Sequence, residues 1–97
     1  MTALMISTIK VTDPAGFRDY MAKTQEIARP YGAKALFNGM RSATLNGTDT
    51  EGDMVVVVSF PDIETLERWN TSDEYKKIVA LRDASSSQVM TAYSAFE

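Results

Sequence analysis

Residues 54–60 read Met-Val-Val-Val-Val-Ser-Phe, a short run of β-branched residues that predicts a strand. Where helices cover one face of a sheet and water the other, a strand alternates apolar with polar residues. This run does not alternate, so both of its faces need apolar cover. Burial gains about 25 cal/mol per Å² of apolar area. Left wet, such a face would form a contiguous apolar patch of the kind that marks an interaction surface. The run therefore predicts a sheet with helices on one side and a second protein surface on the other.

The remaining elements fall around this strand. Leu4 to Val11 is apolar and β-branched with period two, and predicts a first strand. Asp13-Pro14 supplies an N-cap followed by proline at the first helical position, where no amide is needed. Phe17, Tyr20, Met21, Thr24, Ile27, Ala28 and Tyr31 then recur on one helical face, and Pro30 and Gly32 end the helix. Ala33 to Phe37 predicts a second strand. Asn38-Gly39 signals a tight turn into a short extension, Ser42 to Leu45, and Asn46 to Asp53 reads as a polar loop.

After the valine strand, Asp62 caps a helix with Ile63, Leu66 and Trp69 inward and Glu64 paired with Arg68 outward. Thr71 and Glu74 have capping-box spacing, which restarts a helix carrying Tyr75, Ile78, Val79 and Arg82 on one side. Ser85 to Ser87 closes it, and Gln88 to Phe96 alternates as a last strand. The halves echo each other: with Asp13 aligned to Asp62, Phe17 falls on Leu66 and Tyr20 on Trp69. Strand-helix-strand twice over predicts a single α+β domain over 1–97, the ferredoxin-like split βαβ plan. Its antiparallel sheet has the helices on one face. The uncovered face, with half the valines and Leu4 and Ile6 or their alternates from the first strand, is expected to meet a partner's sheet in a two-fold homodimer.

Composition limits the chemistry. A chain of 97 residues makes one domain, with about 60 to 65 per cent of its unfolded surface buried, so a partner subunit would add to a modest core. The net charge is −3 with no basic run, which excludes a nucleic-acid or anionic-membrane footprint. No stretch approaches the ~20 apolar residues of a membrane span. Met1 to Lys10 lacks a signal-peptide pattern, so the expected compartment is the cytoplasm. The chain has neither cysteine nor histidine. That removes thiolate nucleophiles, Ser-His-Asp catalysis, His-ligated haem and the common zinc sites, so no metal and no cofactor is expected.

VTDPAGFRDYM, PYGAKALFNG and VVVVSFPDIETLERWNTSDEYKKIVALR resemble the small bacterial family of domain of unknown function thirteen-thirty, in the dimeric α/β-barrel superfamily. The likeness covers roughly residues 4 to 96. Its marks are Val11-Thr12-Asp13-Pro14, Tyr20, Tyr31-Gly32, Phe60-Pro61, Trp69, Ser72, Tyr75 and Arg82. It implies a ferredoxin-like protomer whose sheet joins a partner's into a barrel, and implies no reaction. Asn38-Gly39-Met40 stands where the family tends to have Arg-Gly-Gly, and Asn70 where an aromatic is usual.

Trp69 on the sheet-facing side of a capped helix reads as a core anchor whose indole N–H needs an acceptor. Tyr20 and Tyr75 share its inward placement, and their hydroxyls need partners. Arg82, on the stripe of Tyr75, either snorkels, pairs with a carboxylate or offers its fork to a ligand. The methionines read as core filler. Asp49, Glu51 and Asp53 read as a solvated loop lacking calcium-loop spacing. Two functions follow. One is a homodimeric module binding a small apolar or aromatic molecule between helices and sheet, in a pocket of Tyr20, Asn38, Trp69, Tyr75 and Arg82. The alternative is a small cofactor-independent enzyme on an aromatic substrate, as the superfamily's monooxygenases and lactone isomerases imply.

Overall fold

The structure is a computed structural model that describes residues 2–96. Four strands, β1 (Ala3–Val11), β2 (Lys34–Met40), β3 (Met54–Phe60) and β4 (Ser86–Ser94), form one antiparallel sheet in the order β2-β3-β1-β4. Helix α1 (Pro14–Ala28) joins β1 to β2, and α2 (Ile63–Asn70), α3 (Asp73–Lys76) and α4 (Val79–Ser85) join β3 to β4. This is the ferredoxin-like plan that the twofold strand-helix-strand pattern predicts.

Period two decides which side chains meet the helices. Along β1, Ala3, Met5, Ser7 and Ile9 are buried while Leu4, Ile6 and Thr8 are only partly covered. Register carries the same face across the sheet: Met5 lies opposite Val58 and Ser7 opposite Val56, whereas Ile6 lies opposite Val57 and Thr8 opposite Val55. The four valines thus divide two and two, with Val56 and Val58 toward the helices and Val55 and Val57 on the bare side. Phe17, Tyr20, Leu66, Trp69, Tyr75 and Ile78 complete the core from the helical layer.

The helix ends differ from expectation in their chemistry. Asp62 caps α2 as predicted, its side chain accepting from the Thr65 amide at 2.8 Å. Asp13 holds the cap position of α1 without a side-chain cap bond. Instead the Thr12 and Asp13 amides both donate to the Ser85 carbonyl, at 2.9 and 3.0 Å, tying the start of α1 to the end of α4. The cap of α3 is Ser72 rather than Thr71: Ser72 accepts from the Tyr75 amide, while the Thr71 hydroxyl donates back to the Glu67 carbonyl. Arg68 donates to the Thr65 hydroxyl at 3.2 Å, and no Glu64–Arg68 pair forms among the described residues.

The largest departure is at Asn38-Gly39. A two-residue hairpin turn needs positive φ, and among the described residues only Gly32 and Gly47 have it. Asn38 and Gly39 instead pair in register with Val56 and Val55, so β2 runs straight through them to Met40. Gly39 serves a different purpose, because a Cβ there would meet the Phe37 ring at 2.7 Å. Ser42 to Leu45 forms no strand, and residues 41–53 are a loop braced by Arg41, whose guanidinium bonds Asp53 at 3.0 Å and the Thr50 carbonyl at 2.7 Å. Asp53 is thereby held in an ion pair, and no acidic cluster fit for a metal exists among the described residues. The last strand begins at Ser86, two residues before the predicted Gln88, and leaves Phe96 beyond its end and fully exposed.

Gly52 closes that loop over β1, where a Cβ would collide with the Ile9 backbone. Backbone cannot yield as a flexible side chain can, so Gly52→Ala is expected to cost about 1–3 kcal/mol in chemical denaturation. An unchanged denaturation midpoint would show that the loop does not press on β1.

Candidate functional site

Trp69, Tyr75 and Phe60 form a tilted aromatic column, with ring centroids 5.4 Å apart for Phe60–Trp69 and 4.4 Å for Trp69–Tyr75. The column exists because α2 places Trp69 on its inner face and the Ser72 cap turns the next helix so that Tyr75 follows it inward. Tyr20 reaches the column from α1, and its hydroxyl shares a 2.7 Å hydrogen bond with that of Tyr75. Behind Tyr75, the Arg82 Nη1 donates to the Tyr75 hydroxyl at 3.1 Å while its Nε donates to Asp83 at 3.0 Å. The guanidinium carbon lies 5.8 Å from the Tyr75 ring centroid, within cation–π reach.

These contacts fix the charge states. Burial, and then the adjacent Tyr75, push the Tyr20 hydroxyl far above its ordinary value, so it stays protonated and available to donate. Burial pulls the Arg82 guanidinium down, but its bonds to Tyr75 and Asp83 outweigh that and raise it overall.

Between α1 and the sheet lies a cavity of about 250 Å³. Its floor is the inner face of β1, β3 and β2, including Met5, Ser7, Val56, Val58 and Asn38; Tyr20, Met21 and Thr24 of α1 roof it, and Phe60 and Trp69 close one end. Every residue of β2 except Gly39 is exposed, so the cavity is open along that edge. Gln25 and Arg29 stand at its rim. Among the described residues no carboxylate lines it.

The sequence-predicted residues divide into two groups. Tyr20, Asn38 and Trp69 line the cavity; Tyr75 and Arg82 do not, standing behind Tyr20 as its support. Asn70 lies outside the cavity, beside a separate groove with Glu64 and Arg68. Sequence reasoning missed Ser7, Gln25 and Gln88. Ser7 carried a readable signal: it is the one polar residue on the inner face of β1, between Met5 and Ile9. Two buried atoms of the cavity's walls have no hydrogen-bond partner among the described residues, the Ser7 hydroxyl and the Trp69 indole nitrogen. The acceptor that a core tryptophan is expected to find is therefore not supplied by the described residues.

Trp69 is 2 % exposed, and Trp69→Ala is expected to cost about 3–5 kcal/mol by denaturant titration. A loss under about 1 kcal/mol would refute its anchoring role. Because Tyr20 ionises less readily folded than unfolded, its contribution is complete below the ordinary tyrosine value of 10.0 and declines as pH rises through the folded value. Above that ordinary value, stability is expected to fall by about 1.4 kcal/mol per pH unit on this account. Tyr20→Phe is expected to flatten the alkaline limb; an unchanged slope would contradict the burial of the hydroxyl.

The fold and cavity can be set beside known proteins. A protein of unknown function from Rhodopseudomonas palustris superposes with a TM-score of 0.79 at 15 % identity, covering 99 % of this chain and 83 % of that one. SnoaB, a cofactor-independent oxygenase from Streptomyces nogalater, superposes with a TM-score of 0.71 at 14 % identity, covering 99 % and 94 %. A dimeric ferredoxin-like protein of unknown function from Jannaschia sp. CCS1 gives a TM-score of 0.73 at 10 % identity, covering 98 % and 100 %. At these identities the likeness shows the fold alone. No curated protein matches the chain. The sequence profile described as Domain of unknown function (DUF1330) matches residues 2–96, and the chain belongs to that family.

Proposed function

We propose that this protein is a homodimer, joined through the bare face of its sheet, that binds one small apolar or aromatic molecule per protomer in the cavity beneath α1. The cavity carries the binding reading. Its volume of about 250 Å³ is near the lower end of small-molecule sites, and its apolar floor with a few polar groups has their usual make-up. Such an occupant fits the absence of any carboxylate from the walls and the protonated state of Tyr20.

The dimer reading rests on the opposite face. Leu4, Ile6, Val55 and Val57 form its centre, and Phe37 and Val89 extend it at 59 % and 61 % exposure. An apolar face spanning all four strands is large for a lone protomer. Burying it against its own two-fold copy gives each side a complementary partner, as the dimeric state of the Jannaschia protein supports. No helix among the described residues is long and apolar enough to cross a membrane, and a cytoplasmic location suits a chain without cysteine.

The alternative, cofactor-independent catalysis on an aromatic substrate, has support from the likeness to SnoaB. The binding reading is preferred because the cavity wall offers neither carboxylate nor imidazole as a base, and its one tyrosine holds its proton.

Sedimentation of the wild-type protein is expected to give a dimer at micromolar concentration, and Val57→Lys a folded monomer, because the substitution places a charge at the centre of the face. A dimeric Val57→Lys variant would overturn the interface. Native mass spectrometry of gently purified protein is expected to show dimers with additional small-molecule mass. Bare dimers that also take up no aromatic guest on titration would overturn the binding reading.

A further inference from the structure

We infer that the ligand of this cavity is a neutral aromatic compound bearing a carbonyl oxygen, recognised by the Ser7 hydroxyl and the Trp69 indole N–H. This deepens the binding reading above and rests on it. Both groups belong to residues no more than 2 % exposed, both residues stand in the cavity wall, and neither polar atom has a partner among the described residues. Buried polar groups are almost always hydrogen-bonded, and leaving one unpaired costs free energy. Two such groups in the wall of one cavity indicate a bond made elsewhere than within the fold.

The two groups narrow the chemistry. An indole N–H only donates, whereas a serine hydroxyl can donate or accept. Their common complement is an acceptor oxygen. Charge excludes the commonest alternative, a carboxylate: among the described residues the only cationic one in the cavity wall is Arg29, which is exposed at the rim. Burying an anion without a counter-charge is far more costly than burying a neutral carbonyl. The rest of the guest meets Val56, Val58, Phe60 and the Trp69 ring, which suits a planar hydrocarbon frame. The two polar atoms are shut off from solvent. A guest reaches them by moving flexible wall side chains, a role for which the unbranched thioethers of Met5 and Met21 are suited.

The test compares two guests that share a frame and differ at one position, 1-tetralone and tetralin, by isothermal titration calorimetry on the full chain. Their affinity ratio is measured in wild type, in Ser7→Ala and in Trp69→Phe, so that the different hydration of the two guests cancels. Each substitution is expected to reduce the preference for the ketone over tetralin by about fivefold, whatever it does to the affinity for the shared frame. Ser7→Ala removes an unpaired polar atom and is expected to leave thermal stability equal or higher, which separates a binding effect from loss of fold. Tetralin and tetralone binding with a ratio unaffected by either substitution would overturn the carbonyl inference while the cavity reading stands. Failure of both guests to bind folded wild-type protein would overturn the two together.

Discussion

The contact of Trp69 with Phe60 on one side and Tyr75 on the other holds the rest in place. It fastens β3 to α2 and α2 to α3, and through the Tyr75–Tyr20 hydrogen bond it reaches α1. A chain of 97 residues has little core to spare, and Trp69, Tyr75 and Phe60 are its largest fully buried side chains among the described residues.

The same arrangement explains why a cavity remains. The column props one end of the helical layer on the sheet. At the other, β2 is exposed except at Gly39, and beyond Tyr20 and Met21 the α1 wall continues with Thr24, Gln25 and Ala28. Space is left where the layers diverge. Tyr20 sits at the junction, half prop and half wall. Tyr75, Arg82 and Asp83 extend behind it toward solvent as a chain of hydrogen bonds, so they bear on the cavity only through Tyr20.

Features that depend on local period were legible in the sequence. The valine strand has the predicted bounds, and Asp62, Leu66 and Trp69 play the parts their spacing implies. Features that depend on which of two local options tertiary contacts select were not. Asn38-Gly39 has the composition of a hairpin turn, yet pairing with Val56 and Val55 of β3 and the Phe37 ring over Gly39 hold it extended. Thr71 and Ser72 are both able caps, and the decision goes to the residue that orients Tyr75 inward. The pocket was half legible for a related reason: helical spacing shows that Tyr20, Trp69, Tyr75 and Arg82 share an interior, but not which of them stand in front. Ser7 was overlooked because attention to the apolar members of β1 passed over its polar interruption.

In the proposed function the two apolar surfaces of this chain have distinct roles, one face covered by a second copy and the cavity reserved for a small guest. Because Trp69 is the only tryptophan, its indole N–H gives a single signal in a proton–nitrogen correlation spectrum, and a titration with naphthalene reads both surfaces at once. The account predicts a saturable shift of the Trp69 indole signal and of the Val56 and Val58 amides at one guest per protomer, with the Phe37 and Val89 amides unmoved. Shifts confined to β2 and β4 on the bare face, with the Trp69 signal stationary, would contradict it.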